Sequence, residues 1–303
     1  MSLSSRKKDF SIFKLDNCKY KTSLICSMKI EKKTYSKFNT AVLKYLSKSA
    51  INSYKLNTEK KILNFYNKNQ KKLTFITPNG AVVPKKETSK EFNEIIKNFV
   101  SIIKKSKSKQ NIINFHVPLN IRIKFKKIPN EYFKRDRATE IPHSDCWAGE
   151  NSSCVNMHIP IFGDVNNNKM EFYHPKKLDE KWLRPLKRFS NGKKYIKNFK
   201  KVKYEAKKGY MTISDFGTLH KTIRKKGCGT RISLDTTCEL IRENKLNLRK
   251  KIHNDRKNEY MEIKKYLKLG SKIKLKFKDS IFNNFIEKKG YKHFANFTLS
   301  SNT

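Results

Sequence analysis

The sequence predicts a mainly β protein with α flanks, a β-sandwich or jelly-roll core held between N- and C-terminal helices. Three observations lead there. Residues 112–240 form a succession of short alternating segments separated by turn residues. The region before them, residues 1–111, carries apolar residues at helical intervals, and the region after them, residues 241–303, is lysine-rich with few apolar residues. No repeat period or low-complexity linker divides the 303 residues, so a single domain over 1–303 is expected.

The elements follow in order. Asn39–Leu46 and Phe92–Val100 space their apolar residues as helices do, and between them Thr77-Pro78-Asn79-Gly80 reads as a turn before a short strand, Ala81-Val82-Val83. Asn120–Phe125 alternates apolar and basic residues, the period of a half-buried strand. Val155–Ile161 alternates as well, Lys169–His174 is short and bounded by turn residues, and Tyr210–Ser214 and Arg231–Thr236 complete the strands. Lys250–Tyr266 is expected to be a solvated helix with one apolar stripe.

Composition sets outer bounds. No apolar run approaches the roughly 20 residues of a transmembrane helix, and the basic start lacks the apolar segment of a secretory signal, so a cytoplasmic location is expected. The six cysteines include no C-x-x-C pair, which argues against structural zinc and for reduced, mostly core thiols. The net charge of +44 suggests a nucleic-acid partner. That reading ranks second, because the basic residues are spread along the whole chain and are overwhelmingly lysine, accompanied by abundant Asn, Ile, Phe and Tyr. Such a joint bias is what AT-rich coding imposes on solvent-facing positions, whereas base-reading proteins favour arginine. A preference for anionic small molecules survives either way.

One constellation carries chemistry. His143-Ser144-Asp145 is answered by His220, and eleven residues further by Arg231, with Ser233 on the same strand face. Two histidines and a carboxylate with open positions beside them are the ligand set of non-haem Fe(II) oxygenases. If residues 143–145 form a strand, His143 and Asp145 share a face while Ser144 points away. A guanidinium can grip both oxygens of a distal carboxylate, and a serine adds a hydrogen bond. The chain supplies its own control in His253-Asn254-Asp255, which has no downstream His and Arg and reads as surface.

These residues, with Pro142–Gly149 and the strand Val155–Ile161, resemble the 2-oxoglutarate- and Fe(II)-dependent dioxygenases with a double-stranded β-helix (jelly-roll) core. Within that superfamily they look like the oxygenases of carbohydrate gene clusters, relatives of a streptomycin-biosynthesis oxygenase and more distantly of phytanoyl-CoA hydroxylase. The resemblance covers about 112–240. It implies a single catalytic domain in which His143, Asp145 and His220 hold Fe(II) and Arg231 and Ser233 anchor 2-oxoglutarate. O2 then drives its decarboxylation to succinate and CO2 while a substrate C–H bond is oxidised. Family members that halogenate replace the carboxylate by a small residue, so Asp145 implies hydroxylation or a related oxidation of a sugar or sugar-containing intermediate.

Around this set, Asn156 is expected to bond a co-substrate carboxylate or to be a satisfied structural amide, and Trp147, Glu150 and Arg122 are expected to meet substrate. For Trp147, core packing is the equal alternative, and His158 and His174 read as structural or substrate-facing. Two rivals remain. A nucleic-acid demethylase of the same superfamily carries R-x-N-x-T-x-R after the distal histidine, where this chain has Arg231-Ile232-Ser233-Leu234-Asp235-Thr236-Thr237. The other is a non-catalytic basic binding module on a jelly-roll scaffold.

Overall fold

The structure is a computed structural model, which describes residues 3–11, 18–21, 24–50, 56–73, 75–106, 112–150, 153–179, 181–240, 260–269, 273–277 and 297–301. It is mainly β, with antiparallel sheets and a set of helices. The larger sheet contains β1 (Cys18–Lys21), β2 (Ile25–Lys29), β3 (Ile112–His116), β4 (Asn120–Lys124), β5 (Cys154–Gly163), β8 (Tyr210–Asp215), β10 (Arg231–Leu240) and β11 (Tyr260–Glu262). Its order is β1-β2-β8-β5-β10-β3-β11, with β4 also paired to β10. A second sheet runs β7-β6-β9, from Phe199–Lys201, Asn168–Pro175 and Leu219–Arg224, and β12 (Ile273–Phe277) pairs with β13 (Phe297–Ser301). The helices are α1 (Leu3–Ser11), α2 (Lys32–Ser49), α3 (Glu59–Asn69), α4 (Ser89–Lys105) and α5 (Ile263–Leu269).

Period-two patterning gives the large sheet two unlike faces. Ile121 and Ile123 of β4, Val155, Met157, Ile159 and Ile161 of β5, Met211 and Ile213 of β8, and Ile232, Leu234 and Cys238 of β10 all enter one apolar core. That core is completed by α2 and α4, whose buried residues recur at helical spacing: Phe38, Val42, Tyr45 and Leu46, then Phe92, Ile95, Ile96, Phe99, Val100 and Ile103. Each such side chain contributes roughly 1.5–3 kcal/mol by leaving water. The alternate residues on the same strands are polar: Arg122 and Lys124, Asn156 and His158, Thr212 and Ser214, Ser233 and Asp235. They look toward β6 and β9, and the functional residues lie in this polar space between the sheets.

Several expectations change. The N-terminal region, residues 1–111, is helical but also supplies β1 and β2, and β2 pairs with β8 inside the large sheet. Four of the five β2 residues are buried, so both its faces are covered and no alternation marks it as a strand. Ala81–Val83 makes only isolated bridges, Ala81 with Arg122 and Val82 with Ile76, after a turn in which Gly80 adopts φ 85°. Of the helix expected over Lys250–Tyr266, 250–259 lie outside the described residues, Tyr260–Glu262 is a strand on β3, and only from Ile263 is the chain helical. His253-Asn254-Asp255 also lies outside them. Five of the six cysteines (Cys26, Cys146, Cys154, Cys228, Cys238) are free and buried. Among the described residues no helix is long and apolar enough to cross a membrane.

Candidate active site

His143, Asp145 and His220 come together between the sheets, with one ligand atom from each lying within 4.8 Å of the others. His220 is the second residue of β9, and the chain brings His143 beside it through an antiparallel bridge: His143 N donates to His220 O at 3.0 Å and His220 N to His143 O at 2.8 Å. The rings sit 4.4 Å apart between centroids. The strand expected over 143–145 ends at that bridge. Ser144 instead caps a short 3-10 turn, Asp145–Ala148, its hydroxyl accepting from Cys146 N at 3.3 Å and donating to Phe216 O. Asp145 opens this turn and still reaches His220, its Oδ1 lying 3.8 Å from His220 Nε2. Gly149 closes the turn at φ 94°, a left-handed position that disfavours side chains.

The surroundings orient these groups. His143 Nδ1 lies 2.7 Å from Ile141 O, so it carries the proton and leaves Nε2 as the lone-pair nitrogen. Phe189 stacks on the His143 ring at 4.3 Å, and Phe172, paired in register with His220, closes the other side. Burial pushes His143 down to about 3 and His220 down to about 4, so both imidazoles are neutral, the form that coordinates. Burial pushes Asp145 up to about 6, because a carboxylate without a cation beside it is costly there.

The remaining expected residues divide. Asn156, on β5, donates from Nδ2 to Asp145 Oδ2 and accepts from Thr237 Oγ1 at 3.3 Å, so it holds the carboxylate in place. Arg231 and Ser233 are completely buried on the polar face of β10, and Arg231 Nε, Nη1 and Nη2 and Ser233 Oγ have no hydrogen-bond partner among the described residues. Burial pushes Arg231 down to about 10. Neither residue lines the cavity beside the trio, which measures about 200 Å³ and is walled by residues of both sheets. Glu150 and Arg122 do line it. Glu150 accepts from Tyr260 Oη at 2.8 Å, and Arg122 is already paired, its Nε 3.0 Å from Asp235 Oδ2. Trp147 is corrected to a core residue: it is fully buried with Trp182, Phe189 and Phe199, its Nε1 donates to Trp182 O at 2.9 Å, and its ring covers Gly192, where a Cβ would fall 2.2 Å from it.

Sequence reading passed over two cavity residues, Lys124 and Asp235. Lys124, the Cα partner of Arg231, donates to Thr139 Oγ1 at 2.7 Å and lies 3.8 Å from Glu140; burial pushes it down to about 7. Its signal was present, since Arg122 and Lys124 are the polar half of an alternating strand. Asp235 is the other, and its pairing with His158, which was read as structural or substrate-facing, depends on strand register. The cations here are not all paired. Arg122 has Asp235, Lys124 and Arg224 share Glu140, and Arg231 has no ion-pair partner among the described residues.

No protein-family model matches the chain, and no curated protein matches it. Among solved structures it is similar to the non-haem alpha-ketoglutarate-dependent carbocyclase SnoK from nogalamycin biosynthesis, at 11% identity and TM-score 0.41, over 77% of this chain and 83% of that one. It is similar to an N-substituted L-amino acid dioxygenase from Burkholderia ambifaria AMMD, at 10% identity and TM-score 0.34, over 72% and 86%. AviO1 from Streptomyces viridochromogenes Tue57 aligns at 8% identity and TM-score 0.35, over 77% and 94%. Likenesses this distant carry no argument about activity, which rests on the site.

Proposed function

We propose that this protein is an Fe(II)- and 2-oxoglutarate-dependent dioxygenase with a jelly-roll core, hydroxylating or oxidising a small sugar-containing substrate. The observation that carries the reading is the meeting of His143, Asp145 and His220 within 4.8 Å. Two neutral imidazoles and one carboxylate fit a divalent first-row metal and leave a face open. Arg231 supplies the second half of the fit: a completely buried guanidinium with no partner needs an anion. A dicarboxylate with one end at the metal and the other at Arg231 and Ser233 would meet that need.

Iron and 2-oxoglutarate, when bound, would together supply the activation of O2, with succinate and CO2 as co-products. The chain's own groups do the rest. His143, through its Nδ1–H bond to Ile141 O, keeps Nε2 as the nitrogen that would hold the ion, and Asn156 holds Asp145 Oδ2 so that Oδ1 faces His220. Phe189 and Phe172 cover the imidazoles and limit water. Asn79, Asn120, Thr139 and Glu150 give the cavity the hydroxyl- and amide-binding character that a sugar requires, and Arg137, half-buried in its wall, suits an anionic substituent.

The test is succinate formation by the full chain with Fe(II) and 2-oxoglutarate. Wild type is expected to form succinate, and His143→Ala and Asp145→Ala to fall to the protein-free background; equal rates in all three would reject the metal assignment. Salt-dependent nucleic-acid binding without succinate would instead support the basic binding module. Two finer outcomes are expected. Asn156→Leu should weaken Mn(II) or Fe(II) binding about 10–100-fold, because outer partners orient metal ligands; unchanged affinity would show that Asp145 needs no such support. Lys124 is largely neutral above pH 7 in the free protein, and a nearby anion raises its pKa. Binding of 2-oxoglutarate at pH 8 should therefore take up a proton, seen by calorimetry in buffers of different ionisation enthalpy, and Lys124→Met should abolish the uptake.

A further inference from the structure

We infer that His158 and Asp235 form a separate binding device in this cavity, an imidazole fixed as a hydrogen-bond acceptor for a hydroxyl group of the substrate. The inference rests on the cavity being the substrate's, as proposed above, and gives that substrate a chemical requirement.

His158 on β5 and Asp235 on β10 are direct partners in the antiparallel register, both on the polar face. His158 Nδ1 lies 2.5 Å from Asp235 Oδ1, and the other carboxylate oxygen lies 3.0 Å from Arg122 Nε. Arg122 is itself located by a bond to Asn79 O at 3.4 Å. A carboxylate gripped from both sides can only accept, so the proton between it and the ring belongs to Nδ1. Burial pushes Asp235 up, but His158 and Arg122 outweigh it and hold the acid well below the usual carboxylate range. Burial keeps His158 below its ordinary value despite Asp235, and the nearby Arg231 and Arg122 act in the same direction. The ring is therefore neutral, and Nε2 carries a lone pair.

That lone pair has nothing to accept from. His158 is 4% exposed and is among the residues that line the cavity, and its Nε2 has no hydrogen-bond partner among the described residues. A buried acceptor of this kind is costly until a donor arrives. 2-Oxoglutarate cannot provide one at neutral pH, since its carboxylates and keto group only accept. A polyol or sugar hydroxyl can. His158 is thus a positioning and specificity residue: it discriminates a ligand bearing a hydroxyl at this point from a deoxy or fluorinated one, and it requires no proton transfer.

The experiment uses the full chain labelled with 15N-histidine and loaded with Zn(II), the His158 resonances being identified by their loss in His158→Gln or, if that variant does not fold, in His158→Phe. Three probes are titrated separately: 2-oxoglutarate, cis-cyclohexane-1,2-diol and cis-1,2-difluorocyclohexane. The expected result is a neutral ring protonated on Nδ1, unchanged by 2-oxoglutarate, whose Nε2 resonance moves with the diol and stays put with the difluoride. An Nε2-protonated ring would overturn the inference. So would an imidazolium formed on adding 2-oxoglutarate, which would make His158 a donor to the co-substrate, and so would the same response, or none, to diol and difluoride. No turnover is involved, so absence of succinate would reject the oxygenase reading and leave this result standing, and the reverse also holds.

Discussion

Replacing Arg231 by methionine is expected to stabilise the ligand-free protein while nearly eliminating its affinity for 2-oxoglutarate. The two effects have one cause. The guanidinium is completely buried without a hydrogen-bond partner, so the free protein bears its desolvation with little return. An apolar side chain of similar length in a buried ionic site is worth roughly 1–4 kcal/mol of added stability. The same substitution removes the donors for a distal carboxylate. Two charge-assisted bonds at about 1.5–3 kcal/mol each convert to a loss of roughly 10²–10⁴-fold in binding. Urea unfolding and calorimetric titration of metal-loaded protein read the two effects separately. A destabilised variant with unchanged 2-oxoglutarate affinity would mean that Arg231 serves the fold.

Asp215→Ala should have the opposite character, a loss of about 3–5 kcal/mol in stability from breaking a buried ion pair. Arg6 of α1 and Asp215 at the end of β8 are both buried; Arg6 Nε donates to Asp215 Oδ1 at 3.1 Å, and its Nη2 pairs with Oδ2. The guanidinium also lies 4.3 Å over the Phe216 ring, and Asp215 Oδ1 accepts from Gly217 N at 2.8 Å. This one carboxylate therefore ties the N-terminal helix to the turn that leads into β9 and His220. The double variant Arg6→Met/Asp215→Ala should recover part of the loss, since the stranded cation is gone; a deficit equal to the sum of the single variants would show that the two residues are not coupled. Metal affinity should fall with Asp215→Ala alone, because the turn positions His220.

Much of this was legible in the residues themselves. β4, β5, β8 and β10 were readable because each has one apolar and one polar face, and alternation survives in sequence, whereas β6 was readable from its shortness and its bounding turn residues. α2 and α4 were readable for the matching reason at a period of 3.6. β2 was not, because a strand covered on both sides has no alternation to read, and it sat in a segment dominated by helical spacing. Asp145 was found for the wrong local reason: the triplet spacing suggested a strand, whereas the Ser144 cap makes a turn that brings the carboxylate to the same place.

By itself the sequence determined which donors exist and that the large sheet would be apolar on one side and polar on the other, since both depend only on residue type and period. Tertiary structure decided which polar groups have partners. Asp145 is held by Asn156, His158 by Asp235 and Arg6 by Asp215, while Arg231 and His158 Nε2 are left without hydrogen-bond partners among the described residues. Those outcomes turn on strand register and on contacts between residues far apart in the chain, where a shift of one position would send every side chain to the other face.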